Sequence, residues 1–179
     1  MSLHRLFIAI RPPERVCDLL LDTMEGVDGV RWQDFDNLHL TLRFVGEVSG
    51  HQADDLATAL QQVSFSSFPI TIAGVGHFEK GAHMHAAWAR IAPSRQLATL
   101  QARIEHICQT LGLAPETRKY VPHITLARLN RSSADMAPWL ARHALLAPGT
   151  FEADAISLYE SHLDPGGARY QEIGRFPAR

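Results

Sequence analysis

The alternation of apolar and polar residues along the chain predicts short strands and amphipathic helices. Apolar residues at every second position indicate strands with one buried face, and apolar residues three or four apart indicate helices. Strands are therefore expected at residues 4–10, 38–45, 68–72, 83–91, 120–129, 151–159 and 169–173. Helices are expected from about residue 13 to 26, 50 to 64, 94 to 111 and 133 to 146. Gly74, Gly76 and Gly81 are expected to form a turn or hairpin.

Two of the predicted strands carry the same short pattern. They contain the tetrapeptides His39-Leu40-Thr41-Leu42 and His123-Ile124-Thr125-Leu126, in which polar and aliphatic residues alternate. A period of two directs the histidine and the threonine to one face of the strand and the aliphatic residues into the core. A histidine and a threonine on the open face of a strand, present twice, are the strongest functional signal in the sequence.

The order of the predicted elements repeats along the chain. A strand, a helix, a motif strand and a helix in residues 4–64 recur in residues 83–146, and the two motif histidines lie 84 residues apart. This repetition predicts an internal duplication. We expect a single α+β domain over residues 1–179, made of two intertwined pseudo-symmetric lobes. Each lobe is expected to be an antiparallel sheet with helices outside, and the two should face a central cleft.

Composition and charge exclude several classes of protein. With 46% hydrophobic residues, 20% charged residues and a net charge of -2, the chain is expected to be globular and not to wrap nucleic acid extensively. No apolar run approaches the roughly 18 residues of a membrane span, and the N-terminal residues indicate a strand rather than a signal peptide. Cys17 and Cys108 are expected to be buried free thiols, so we expect a cytoplasmic protein without membrane association.

The two motifs suit acid–base chemistry on a phosphate. Near neutral pH one imidazole can donate a proton while another accepts one, and threonine hydroxyls can hydrogen-bond phosphate oxygens. Residues 118–131, which surround the second motif, carry four basic residues and no acidic one. These groups suit in-line attack of water on a strained cyclic phosphodiester, a scheme that requires no metal and no cofactor.

Two arginines are candidates for contacting that phosphate. Strand parity places Arg43 on the face that carries His39 and Thr41. The same parity places Arg128 on the core side of its strand, so that it reaches the cleft only if the strand ends or bulges there. The sequence leaves both arginines open.

Beyond its motifs, the chain resembles the 2H phosphoesterases, and among them the bacterial RNA 2′,3′-cyclic phosphodiesterases, also called 2′-5′ RNA ligases. The resemblance covers nearly the whole chain and is carried by residues 5–12, 38–48, 74–78, 88, 118–128, 156–161 and 167–170. It implies an enzyme that opens a terminal 2′,3′-cyclic phosphate on RNA and leaves a 2′-phosphate. With a 5′-hydroxyl in place of water as the nucleophile, the same site would reversibly form a 2′-5′ RNA linkage.

The resemblance also implies roles for individual residues. His39 would protonate the leaving 3′-oxygen and His123 would activate water, although the reverse assignment stays open. Thr41 and Thr125 would hold the phosphate oxygens, and Arg128 would help to neutralise their charge.

Three alternatives remain from the sequence. The chain could act on a small cyclic phosphate of a nucleotide or of ADP-ribose, or it could bind RNA ends without catalysis. A metallohydrolase built on His83 and His85 is the third, since two histidines at that spacing can bind zinc. We expect a monomer. We expect Phe44, Phe78, Trp88 and Tyr120 to belong to the core, and Phe78 or Tyr120 is the alternative candidate for stacking on a terminal base.

Overall fold

A computed structural model describes residues 3–165 and 167–179 of the chain. Its strands are β1 (Leu3–Ile10), β2 (Arg31–Trp32), β3 (Leu40–Ser49), β4 (Phe68–Lys80), β5 (His83–Ile91), β6 (His123–Arg128), β7 (Thr150–Ala153), β8 (Ala155–Asp164) and β9 (Gly167–Pro177). Its helices are α1 (Glu14–Leu21), α2 (Gly50–Gln61), α3 (Arg95–Thr110) and α4 (Ala137–Arg142). None of the helices in the described ranges has the length and apolarity that crossing a bilayer requires.

The strands form one strongly curled antiparallel sheet with the helices outside it, which confirms the predicted α+β class. The strand order is β7-β4-β5-β6-β3-β1-β8-β9, and the short β2 pairs with β6. The two motif strands, β6 and β3, are therefore neighbours at the centre of the sheet, where Leu40 lies opposite Ile124. Three strands lie on each side of this pair, β7, β4 and β5 on one side and β1, β8 and β9 on the other. The internal duplication itself stays a prediction.

One face of the central strands is covered by helices. Leu40, Leu42, Ile124 and Leu126 are all at most 2% exposed and belong to the main core. α3 presents its own apolar stripe, Leu97, Leu100, Ile104 and Cys108, to the same core, and its first turn is capped by the Ser94 hydroxyl. Full burial of each such leucine contributes about 1.5–3 kcal/mol. This burial fixes the register of both motif strands, so their polar side chains lie on the opposite face.

The hairpin expected over Gly74, Gly76 and Gly81 is present, but its turn includes only the last of these glycines. β4 continues through Gly74 and Gly76, and the chain reverses at Gly81. Gly74 has a φ of +85° and lies at an irregularity in the pairing with β5, where a Cβ would meet the Ala144 carbonyl oxygen at 2.6 Å. The glycines thus allow close approach within a strand rather than ending it.

The predicted helix at residues 133–146 is shorter than expected, because α4 spans Ala137–Arg142. Before it, the Asn130 side chain accepts hydrogen bonds from the backbone and hydroxyl of Ser132, and the Asp135 carboxylate accepts from the Ala137 amide. Such local bonds compete with helical ones. The apolar period extends further than the helix because its residues still pack against the core.

Candidate active site

The two motif histidines lie at equivalent ends of the central strand pair. His123 is the first residue of β6, and His39 immediately precedes β3. Because the strands are antiparallel and Leu40 is opposite Ile124, that register sets His39 across from Thr125 and Thr41 across from His123. The four polar side chains therefore form a compact group on the face away from the helices.

These four residues line a cleft of about 790 Å³ on that face of the sheet. A cavity of this volume lies in the range of small-ligand sites, roughly 300–1,000 Å³. Its wall also carries the basic residues Arg5, Arg43, Arg118, Lys119 and Arg128. Arg118 pairs with Glu116 and Arg43 with Glu105, which leaves Arg5, Lys119 and Arg128 as the cations without a carboxylate partner among the described residues. The cleft is thus large enough for a nucleotide and presents cations to it.

Each histidine is held by the same backbone bond. Nδ1 of His39 donates to the Asn37 carbonyl at 2.7 Å, and Nδ1 of His123 donates to the Val121 carbonyl at 2.6 Å. A carbonyl oxygen can accept a hydrogen bond but cannot donate one, so each Nδ1 must carry the proton. In the neutral ring Nε2 then keeps its lone pair. The two imidazoles therefore offer two equivalent proton-transfer atoms, which is the arrangement that an acid–base pair requires.

Aromatic rings surround both imidazoles. The His39 ring centroid lies 4.8 Å from that of Phe7 and 5.2 Å from that of Tyr170. The His123 centroid lies 4.8 Å from Phe78, edge to face, and 5.6 Å from Trp88. Both rings thus have apolar flanks that limit their rotation and their contact with water.

Burial lowers the pKa of both histidines. For His39 it brings the pKa to about 4, with the Asn37 carbonyl opposing the shift and the positive charges of His123, Arg11 and Arg128 adding to it. For His123 burial again acts most strongly, opposed by the Val121 carbonyl and reinforced by Arg128. Both imidazoles are therefore neutral at neutral pH, and a bound anion would favour their protonation.

A β-bulge interrupts both motif strands at the same position. Against β1, Thr41 pairs with Ala9 and Arg43 with Ile8, so Leu42 is the extra residue. Against β5, Thr125 pairs with Trp88 and Ala127 with Ala87, so Leu126 is the extra residue. Two successive side chains then face the helices, and the alternation resumes in the opposite phase. The residue five positions after each histidine is thereby returned to the cleft.

This bulge decides the position of the two arginines. Arg128 is the fifth residue after His123, and it lines the cleft. Its charge acts on the pKa of both motif histidines. The sequence analysis allowed this position only if the strand bulged or ended, and the bulge supplies the condition. Arg128 is thus a cation on the cleft wall, close enough to both motif histidines to lower their pKa values.

The expectation that Arg43 shares a face with His39 was wrong. Arg43 is 7% exposed and pairs with Glu105 on α3, and its guanidinium also donates to the carbonyls of Phe44 and Ala114. The bulge at Leu42 turns it toward the helices. Arg43 contributes to the lining of the cleft, but its guanidinium is held by Glu105 and ties α3 to β3.

The corresponding fifth residue after His39 is Phe44, and strand parity without a bulge could not place it. Phe44 is 48% exposed, lines the cleft and lies 6.0 Å from the Phe7 ring, so its assignment to the core was wrong. The Tyr120 hydroxyl, in turn, donates to the Thr41 carbonyl at 3.0 Å and joins the loop before β6 to the first motif. The sequence signal that could have located Phe44 is the equivalence of positions between the two motifs.

A metal site at His83 and His85 gains no further ligands. Among the described residues there is no group of three or more His, Cys, Asp or Glu side chains placed to hold a metal ion. The nearby His77 instead pairs with Glu79 at 2.9 Å.

Comparison with known proteins gives consistent results. The sequence model of the 2′-5′ RNA ligase superfamily matches residues 12–165. A protein of Archaeoglobus fulgidus named RNA 2′,3′-cyclic phosphodiesterase is 26% identical over 96% of this chain and 99% of its own length. One of the same name from Escherichia coli is 26% identical over 97% of this chain and 96% of its own. The crystal structure of Escherichia coli LigT complexed with 3′-AMP superimposes with a TM-score of 0.83 at 24% identity, covering 99% of both chains.

Proposed function

Since this chain belongs to the 2′-5′ RNA ligase superfamily, we propose that it hydrolyses 2′,3′-cyclic phosphates at RNA ends to 2′-phosphates. Its membership confirms the resemblance drawn from the two motifs. The relatives named RNA 2′,3′-cyclic phosphodiesterase, which match nearly the full length of the chain, support this activity.

The observation that carries the proposal is the matched pair of imidazoles. Each donates Nδ1–H to a carbonyl of its own chain and keeps Nε2 for substrate. Hydrolysis of a cyclic phosphodiester needs one group that takes a proton from water and one that gives a proton to the departing ribose oxygen. Two Nε2 atoms on adjacent strands supply both functions.

The reaction proceeds in line across the phosphorus. Water loses its proton to one Nε2 and forms the new P–O bond, while the bond from phosphorus to the ribose 3′-oxygen breaks and that oxygen takes a proton from the other Nε2. Following the resemblance, we assign the proton donor to His39 and the base to His123. Because burial lowers the pKa of His39 to about 4, the anionic substrate must raise it for His39 to carry that proton.

The remaining groups stabilise the charge that develops on the phosphate. We propose that the hydroxyls of Thr41 and Thr125 donate to the two non-bridging oxygens, and that Arg128 neutralises their negative charge. The half-exposed ring of Phe44 offers a stacking surface for the terminal base. A 5′-hydroxyl in place of water would follow the same steps: it loses its proton to the base and bonds to phosphorus as the bond to the 3′-oxygen breaks, which leaves a 2′-5′ linkage.

We also propose where the enzyme acts and in what state. Cys17 and Cys108 are buried free thiols, which suits the reducing cytoplasm. A monomer suffices for the chemistry, because all the proposed groups come from one chain.

The test is turnover of a short RNA that ends in a 2′,3′-cyclic phosphate, with chelator present. The native protein should release a 2′-phosphate, and His39→Ala and His123→Ala should each lose roughly 10²–10⁴-fold in rate. His106→Ala is the matched control, because that histidine is exposed on α3. Full activity in either motif variant, or none in the native protein, would remove the proposal.

The same assay separates RNA from small substrates. Mononucleoside 2′,3′-cyclic phosphates and the RNA are compared by kcat/KM. A large preference for the mononucleotide would favour the small-substrate alternative, and binding of RNA ends without turnover would favour the binding module.

A further inference from the structure

The His123 half of the site contains a packed group of aromatic rings that the proposed chemistry does not use. Phe78 and Trp88 lie 5.1 Å apart, and both contact the His123 ring. Phe78 lines the cleft, whereas Trp88 is 7% exposed and comes from β5, where it pairs with Thr125. Trp88 therefore lies beside the second motif without forming its open surface.

The indole of Trp88 fits because its neighbour on β4 has no side chain. Gly76 is the cross-strand partner of Trp88, and a Cβ built on Gly76 would lie within 2.7 Å of three atoms of the six-membered ring. Real side chains do not approach so closely, so any residue other than glycine must displace the indole. The glycine sets the position of the indole on the sheet.

The other half of the sheet lacks this arrangement. Beside Thr41 the residue equivalent to Trp88 is Ala9, and the neighbour of Ala9 on β8 is Ser157. The large residue over a glycine thus belongs to one motif alone. It is a specific feature of the site around His123, not a general requirement of the curled sheet.

A hydrogen bond does not explain the position of the indole. Its Nε1 is buried and has no acceptor among the residues that the structure describes. A buried donor without a partner is unfavourable for folding. The ring is therefore held by packing against Gly76, Phe78 and His123 and by the Arg90 guanidinium, which lies 6.0 Å from its centroid.

We propose that the Trp88 indole, seated on Gly76, is the positioning residue that fixes the orientation of the His123 imidazole in the cleft. The indole restricts the His123 imidazole to the rotamer in which Nδ1 donates to the Val121 carbonyl and Nε2 faces the substrate. The catalytic consequence rests on the proposed function of His123, but the effect on ring orientation does not.

The experiment compares Trp88→Phe, Gly76→Ala and the double variant. Trp88→Phe removes the ring atoms that contact Gly76, and Gly76→Ala displaces the indole without touching the cleft. Each single change should lower kcat roughly 10- to 100-fold with little change in KM, the effect of misplacing a reacting group. In the Trp88→Phe background, Gly76→Ala should lower kcat no further, because the indole atoms that the new Cβ would contact are absent.

A second readout measures the imidazole directly. Two-dimensional ¹⁵N–¹H spectra of the histidine rings, with His123→Ala to assign the signals, should show a single Nδ1–H tautomer for His123 in the native protein. Both single variants should show a mixture of tautomers. The charged groups around this ring are Arg128 on its own strand, Arg90 opposite it on β5 and His39 across the cleft, and none of them is altered.

Gly50→Ala is the matched control, since a Cβ there would make one ordinary contact, 3.8 Å from His4 Nε2. It should leave kcat and the His123 tautomer unchanged. The proposal fails if Gly76→Ala lowers kcat equally in both backgrounds, or if His123 keeps its single tautomer in the variants. Should Gly76→Ala not fold, the tautomer in Trp88→Phe decides the question. A native protein without turnover would reject the proposed function, while the spectra would still test the positioning.

Discussion

Replacing His39 should make the protein less sensitive to acid. The imidazole has a pKa of about 4 in the folded state, mainly because it is buried among Phe7, Tyr159 and Tyr170. In the unfolded chain its pKa returns to about 6.5. The unfolded state therefore binds a proton more readily, and stability falls as the pH drops below 6.5 and continues to fall toward pH 4.

The size of this effect follows from the two pKa values. At pH 8 both states are neutral at this position and His39 contributes nothing to the pH dependence. At pH 5 the unfolded state is almost fully protonated and the folded state is not, which costs about 2 kcal/mol of folding free energy. His39→Gln removes the titrating group while its amide can still donate to the Asn37 carbonyl.

The assay is urea-induced unfolding of both proteins at pH 8 and pH 5. Between these values the native protein should lose about 2 kcal/mol more of its unfolding free energy than His39→Gln does. His106→Gln, at an exposed position on α3, should behave like the native protein. Equal losses in the native protein and His39→Gln would refute the argument that a neutral imidazole is held in an apolar setting.

Three further results are expected. The pH profile of kcat/KM should have its maximum below pH 6.5. The reason is that burial lowers the pKa of both His39 and His123, and the pair must hold one proton to act. A maximum above pH 7.5 would contradict this. Arg128→Ala should lower kcat/KM by roughly 10²-fold through lost charge stabilisation while the melting temperature stays constant, and unchanged kinetics would remove Arg128 from the site. Arg43→Ala should lower the unfolding free energy by roughly 3 kcal/mol, because Glu105 loses its partner, while the folded enzyme keeps its kcat. A large loss of kcat in the folded variant would show that Arg43 takes part in the reaction.

The sequence predicted the elements that depend on local periodicity. The strand before Pro12, the helix capped by Ser94 and both motif strands follow directly from the spacing of apolar residues. The open face of each motif was predictable for the same reason, because Leu40 and Ile124 must be buried. The central position of β3 and β6 in one sheet depends on pairings between distant residues, which periodicity does not encode.

Strand parity predicts which face of the sheet a side chain lies on only as far as the bulge in each motif strand. Leu126 and Ala127 are adjacent apolar residues, and this break in alternation was a readable sign that Arg128 changes face. In the first motif the same bulge is concealed, because Leu42 followed by the polar Arg43 looks like normal alternation. The role of Gly76 was equally hidden, since it depends on a tryptophan of the neighbouring strand.

Because both motif strands carry the same bulge, each half of the sheet has one further position whose side chain faces the cleft. In both halves the fifth residue after the histidine is delivered to the cleft, and here one half presents an aromatic ring and the other a cation. The two halves of the sheet are otherwise similar, so these two side chains make the cleft asymmetric and give it a direction, from a flat aromatic surface at one end to a positive charge at the other. Exchanging the two side chains, as Phe44→Arg with Arg128→Phe, would reverse that direction while leaving both imidazoles in place. The surroundings of the two imidazoles can therefore change at these two positions while both motif histidines stay the same.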